Sequence, residues 1–172
     1  DIANRLGELG LTAADVDILV STHFHFDHAG NHADFGASRI VTQRECYEYA
    51  KVHPASFPQD IWDLPHLTYE LLDGDVEIAP GVTLVESSGH VPGHMSVVLR
   101  LPETGTVVLA IDAIYTLENL ERDNWDGMVD PVRGRANGHK LAEIAERENG
   151  LLITGHDPAA WSELKLAPAY YA

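Results

Sequence analysis

Three histidines and an aspartate fall within six consecutive positions of this chain, as His23-Phe24-His25-Phe26-Asp27-His28. Imidazole nitrogens and carboxylate oxygens are ligands of zinc and of its first-row neighbours. In extended backbone alternate side chains share a face, so His23 and His25 can reach one cation. If the chain then turns into a helix, Asp27 and His28 are carried onward to a second. Packing alone explains the cluster poorly, because buried imidazole and carboxylate groups need polar partners. The chemistry expected of such a site is hydrolysis by metal-activated water.

Three later segments carry ligand types, each at the end of a predicted strand. The first is Ser88-Gly89-His90-Val91-Pro92-Gly93-His94, whose glycines suggest a tight turn with a close backbone approach. Only one of its two histidines is needed as a ligand. The others are Asp112, closing an apolar strand, and His156 in Thr154-Gly155-His156-Asp157. Each is weak alone; their combination with the first cluster is strong.

The order HxHxDH, then His, Asp and His, resembles the metal-ligand pattern of the metallo-β-lactamase superfamily, over residues 16 to 160 or so. The resemblance implies an α+β fold, an αβ/βα sandwich, formed as one domain over residues 1–172 and lacking its N-terminal portion. It implies a first metal on His23, His25 and His90, and a second on Asp27, His28 and His156, with Asp112 bridging. His94 then matches a histidine of the family's turn that supports rather than ligates. Two divalent ions follow, zinc by default, although His and Asp ligands also suit manganese, iron or cobalt.

Within the superfamily, Asp112 stands where the class B1 lactamases carry Cys, and His25 where the flavodiiron oxygen reductases usually carry Glu. Asp112-Ala113-Ile114-Tyr115 is similar to the corresponding stretch of the N-acyl-homoserine lactonases. There a tyrosine three residues after the bridging aspartate lies beside the substrate carbonyl. The implied reaction is lactone ring opening by a hydroxide shared between the metals. Tyr115 would donate to the oxyanion, and Asp27 would also pass a proton to the leaving alkoxide. The alternatives are a thioester hydrolase of the glyoxalase II kind or a phosphoester hydrolase on the same metals. Outside catalysis, the alternative is a metal-binding but inactive domain.

The elements that must position these groups are read from periodicity. Ile2, Leu6 and Leu9 predict a helix over residues 1–8, stopped by Gly10. Residues 16–22 and 39–42 read as strands, and 43–52 as a helix holding Cys46. Residues 53–68, rich in proline and aromatics, read as an irregular loop or a short helix pair. They line the pocket together with Phe26, or simply pack in the core. Residues 69–88 suggest two or three strands with a turn at Pro80-Gly81, and 95–101 pairs with 106–111 as a hairpin. Asp130-Pro131 has the form of a helix cap, Leu141, Ile144 and Ala145 continue that helix, and Gly150 ends it before a strand at 151–154.

Bulk properties narrow the partners. A net charge of −16 argues against binding a nucleic-acid backbone, leaving a small-molecule lactone or ester as the expected partner. No apolar run approaches the roughly 18 to 20 residues of a membrane span. The lone Cys46 excludes an intrachain disulfide and reads as a small buried hydrophobe. With no signal-peptide pattern, a cytoplasmic location is expected, although Asp1 reads as a fragment boundary. A sheet edge left exposed by a missing N-terminal portion could favour a homodimer.

Overall fold

The computed structural model describes residues 2–172, and its chain divides into two compact units. The first runs to Asp73 and includes Leu166–Tyr170; the second comprises Gly74–Lys165 with Tyr171–Ala172. Asp1, the first residue of the expected N-terminal helix, lies outside the described residues.

In the first unit, helix α1 (Ile2–Glu8) precedes strand β1 (Ile18–Val20), the short helix α2 (Phe26–Ala29), strand β2 (Arg39–Gln43), helix α3 (Arg44–Val52) and strand β3 (Tyr69–Leu72). The three strands form a parallel sheet in the order β1-β2-β3, with Val20 opposite Val41 and Thr42 opposite Leu71. Residues 53–68 hold only one turn of 3-10 helix, at Gln59–Ile61. Side chains rather than ladder bonds fix this segment. Phe57 and Trp62 are buried, and the Trp62 ring packs 4.3 Å from Phe24 beside Tyr47 and Tyr69. Aromatic pairs of this kind add about 0.5–1.5 kcal/mol beyond their burial. The segment therefore supplies core, while Phe26 stands 71% exposed. Cys46 is buried with its thiol pushed above its ordinary pKa by desolvation, which makes it unreactive.

His32 is buried in the same unit, and no sequence pattern singled it out. The Tyr69 hydroxyl donates to the Trp62 carbonyl at 2.8 Å, so His32 Nδ1, 2.9 Å from that hydroxyl, is the donor to it. Desolvation lowers the His32 pKa from its ordinary 6.5 to about 4. A depressed histidine pKa means the unfolded chain takes up the proton first as pH falls. Stability is therefore whole above pH 6.5 and erodes between 6.5 and 4. In metal-free buffer, the wild type should lose about 2–3 kcal/mol more than His32→Gln between pH 7 and 4.5. Urea unfolding at both pH values measures it, and parallel losses in the two proteins would exclude His32 as the cause.

The second unit contains β4 (Val76–Ala79), β5 (Val82–Glu86), β6 (Met95–Leu101), β7 (Gly105–Ile111), α4 (Leu117–Glu121), α5 (Pro131–Arg147), β8 (Leu151–Thr154) and α6 (Pro158–Trp161). Strands β4 to β7 are antiparallel neighbours, and β8 adds parallel to β7. The expected turn at Pro80-Gly81 and the hairpin of β6 with β7 are both present. Helix α5 opens as its sequence suggests, with Asp130 accepting from Arg133 N at 3.0 Å and Pro131 in the first turn. Its buried Leu141 and Ala145 join the core with Val98, Val108 and Ala110 of the sheet, while Gly134 and Gly138 face Met128 and Trp125.

Helix α5 stops ahead of Gly150 as expected, though not through a left-handed glycine. Asn149, not Gly150, takes the left-handed conformation, with φ 49°. Gly150 is required instead by proximity, since a Cβ there would lie 2.6 Å from the Thr106 carbonyl oxygen. Among the described residues no helix is long and apolar enough to cross a membrane.

Candidate metal centre

In the first unit the ligand cluster begins where β1 ends. Ser21 N still bonds to Val41 O at 2.9 Å, carrying the β1–β2 pairing one residue past the strand. His25 keeps extended angles (φ −61°, ψ 152°) and serves as the N-cap of α2. That single helical turn carries Asp27 and His28, as the spacing requires. The His23 ring lies 4.9 Å from His25 and 4.1 Å from His28, centroid to centroid, and His28 Nε2 is 3.5 Å from Asp27 Oδ2. His23 is fully buried, and Phe57 stacks on His25 at 4.8 Å. All four expected ligands of this segment are together.

In the second unit Asp112 is the centre. Its Oδ2 lies 3.3 Å from His90 Nε2 and its Oδ1 lies 3.2 Å from His156 Nε2, so each carboxylate oxygen faces a different imidazole. Asp112 is 3% exposed. It follows Ile111, whose φ of 52° is rare for a β-branched residue and costs on the order of 1–3 kcal/mol. The β7–β8 register shifts at the same place. Gly155 N bonds to Ile114 O and His156 N to Tyr115 O, so the end of β8 is stitched to the segment after Asp112.

The His90 turn is braced from several sides. Gly89 adopts φ 155°, and a Cβ there would lie 2.2 Å from Gly134 Cα of α5. Gly93 N donates to Ser88 Oγ at 2.7 Å, and Ser88 Oγ itself donates to Glu86, which also accepts from Arg133. Asn137 of α5 donates to Ser88 O at 2.7 Å. Sequence reading missed Glu86, Arg133 and Asn137, because a brace from a helix 47 to 49 residues away leaves no local signal.

Tyr115 joins this half of the site, its hydroxyl 2.5 Å from His90 Nδ1. If His90 Nε2 serves as a ligand, its Nδ1 carries the proton and donates to the phenol oxygen. Asp157, beside His156, acts structurally. It caps α6 and accepts from Leu117 N, and these bonds hold its carboxyl below the usual range.

Comparisons with known proteins bear on the family. A family profile described as the metallo-beta-lactamase superfamily matches residues 1–156. N-acyl homoserine lactonase AiiA of Bacillus thuringiensis subsp. kurstaki is 36% identical over 169 residues, 98% of this chain and 67% of that protein. N-acyl homoserine lactonase AttM of Azorhizobium caulinodans is 37% identical over 177 residues, 95% of this chain and 66% of that protein. Among solved structures, an N-acyl homoserine lactone hydrolase with the product N-hexanoyl-L-homoserine bound at its catalytic metal centre superposes with a TM-score of 0.90. It is 35% identical, across 99% of this chain and 67% of that one. The chain thus spans about two thirds of the length of these relatives.

Proposed function

The chain belongs to the metallo-beta-lactamase superfamily, and from that membership we propose that it hydrolyses the ester of an N-acyl homoserine lactone on two divalent metal ions. The observation that carries the reading is the similarity to a product-bound lactonase along 99% of the chain. His23, His25 and His90 would hold one ion, and Asp27, His28 and His156 the other, with Asp112 spanning both.

The donor set fits such ions. All seven groups are imidazole nitrogens or carboxylate oxygens, which suits zinc first, and manganese, iron or cobalt as well. The two oxygens of Asp112 turned to two different imidazoles support its bridging role. When bound, two such cations supply hydroxide at neutral pH and withdraw charge from the ester carbonyl.

The chain's own residues do the rest. Tyr115, accepting from His90 Nδ1, donates its hydrogen to the carbonyl oxygen as negative charge develops there. Asp27, exposed in the turn of α2, would return to the departing ring oxygen the proton that the attacking hydroxide gives up. That delivery matters because an alkoxide is a poor leaving group.

The test is a panel of N-acyl homoserine lactone, S-lactoylglutathione and a phosphodiester, run on protein whose metal content has been measured. Opening of the lactone alone is the expected result; faster cleavage of the thioester or phosphodiester would overturn the lactone reading. Tyr115→Phe should keep its metals and lose about 100-fold in kcat for the lactone. Unchanged kcat would remove Tyr115 from the reaction.

A further inference from the structure

We propose that His94 is a positioning residue, a neutral imidazole in one fixed tautomer that clamps the main chain around Asp112. The proposal rests on the reading of Asp112 as a metal ligand, and it assigns work to a histidine that the ligand count leaves over.

The direction of each hydrogen bond follows from what its partners can do. The Asp112 amide can only donate, and it lies 3.3 Å from His94 Nε2. That nitrogen therefore holds the lone pair, and the ring hydrogen sits on Nδ1, 2.9 Å from Ser87 Oγ. Ser96 Oγ donates its one hydrogen to the Ala110 carbonyl at 2.8 Å. Ser87 must then donate to Ser96, also at 2.8 Å. The chain of bonds runs one way, from Asp112 N through His94, Ser87 and Ser96 to Ala110 O.

Its two ends are what give it meaning. Asp112 N and Ala110 O flank Ile111, the residue in the left-handed region at the end of β7. The β7–β8 register shifts at this kink, and buried main-chain groups need partners wherever the ladder is irregular. The relay gives Asp112 N its acceptor and Ala110 O a second donor beside Ala113 N, which lies 3.2 Å away, entirely inside the protein: His94 and Ser96 are 0% exposed and Ser87 1%. Held this way, Asp112 presents one oxygen to His90 and the other to His156. Because His94 Nε2 already accepts from an amide and Nδ1 carries a hydrogen, neither nitrogen of His94 is disposed to ligate.

Two measurements test this. In protein carrying 15N-labelled histidine, the signals lost in His94→Gln identify the ring. The wild-type ring should show protonated Nδ1 and bare Nε2, both metal-free and after zinc addition. An Nε2-protonated ring, or direct coordination on adding zinc, would overturn the proposal.

The second measurement is zinc affinity by competition with a chromophoric chelator. An Asn amide reproduces the donor at Nδ1 but stops short of Asp112 N, whereas a Gln oxygen reaches the Nε2 position. His94→Asn should weaken zinc roughly 10- to 100-fold, while His94→Gln stays within about threefold of wild type. Equal losses in both, or none in either, would count against the clamp. Wild-type protein that takes up no zinc would sink the metal reading alone, and the tautomer would still decide the role of His94.

Discussion

Asp112→Asn leaves the chain folded and lowers metal content and lactone turnover together, with kcat/KM falling at least about 1000-fold, some 4 kcal/mol of transition-state stabilisation. The reason is the carboxylate's position. Its oxygens lie 3.3 Å from His90 Nε2 and 3.2 Å from His156 Nε2 in a site with 3% exposure. Asparagine keeps the shape but offers one oxygen and one NH2, and an NH2 cannot ligate a cation. One of the two imidazoles therefore loses its shared ligand whichever way the amide turns. Mass-spectrometric metal analysis and kinetics on the same sample give the answer. A variant that keeps two equivalents of metal and a tenth or more of wild-type activity would remove Asp112 as the bridge.

Gly89→Ala should be the most damaging single methyl group in the second unit. The added Cβ would meet Gly134 Cα at 2.2 Å and Gly134 N at 2.5 Å, main-chain atoms that no rotamer change can move aside. Overpacking of this kind costs about 1–3 kcal/mol, and the positive φ adds to it. For a chain of this size the melting midpoint should fall by roughly 10 °C. Gly7→Ala is the matched control: it lies in α1, nothing stands within 4 Å of its Cβ, and helix propensity favours alanine by up to about 1 kcal/mol. Calorimetry on both variants decides the matter. A Gly89→Ala midpoint within about 2 °C of wild type would show that α5 does not press on the His90 turn.

Much of the architecture could be read directly. The strands at 69–88, the hairpin of β6 with β7 and the capped start of α5 follow from alternation, turn residues and an Asp-Pro pair, all of them signals a few residues long. Residues 53–68 resisted because their order comes from Phe57 and Trp62 packing into distant aromatics, which no local period encodes. The end of α5 was legible, but the reason for its glycine was not. Gly150 looked like a helix stop, but the feature that demands glycine there is the Thr106 carbonyl of β7.

The same division runs through the site. Sequence alone determined the kinds of ligand, their order and the local fan of His23, His25, Asp27 and His28, because extended backbone followed by one helical turn is set by neighbouring residues. It also marked the glycine turn that presents His90. Only the tertiary structure decided which oxygen of Asp112 faces which imidazole, and that His94 turns toward the Asp112 amide. It likewise enlisted Ser87, Ser96 and Tyr115 as their partners. Those relations cross strands, where register chooses the neighbours: Val85 stands opposite Ser96 and Glu86 opposite Met95. A shift of one residue would turn every one of those side chains to the other face.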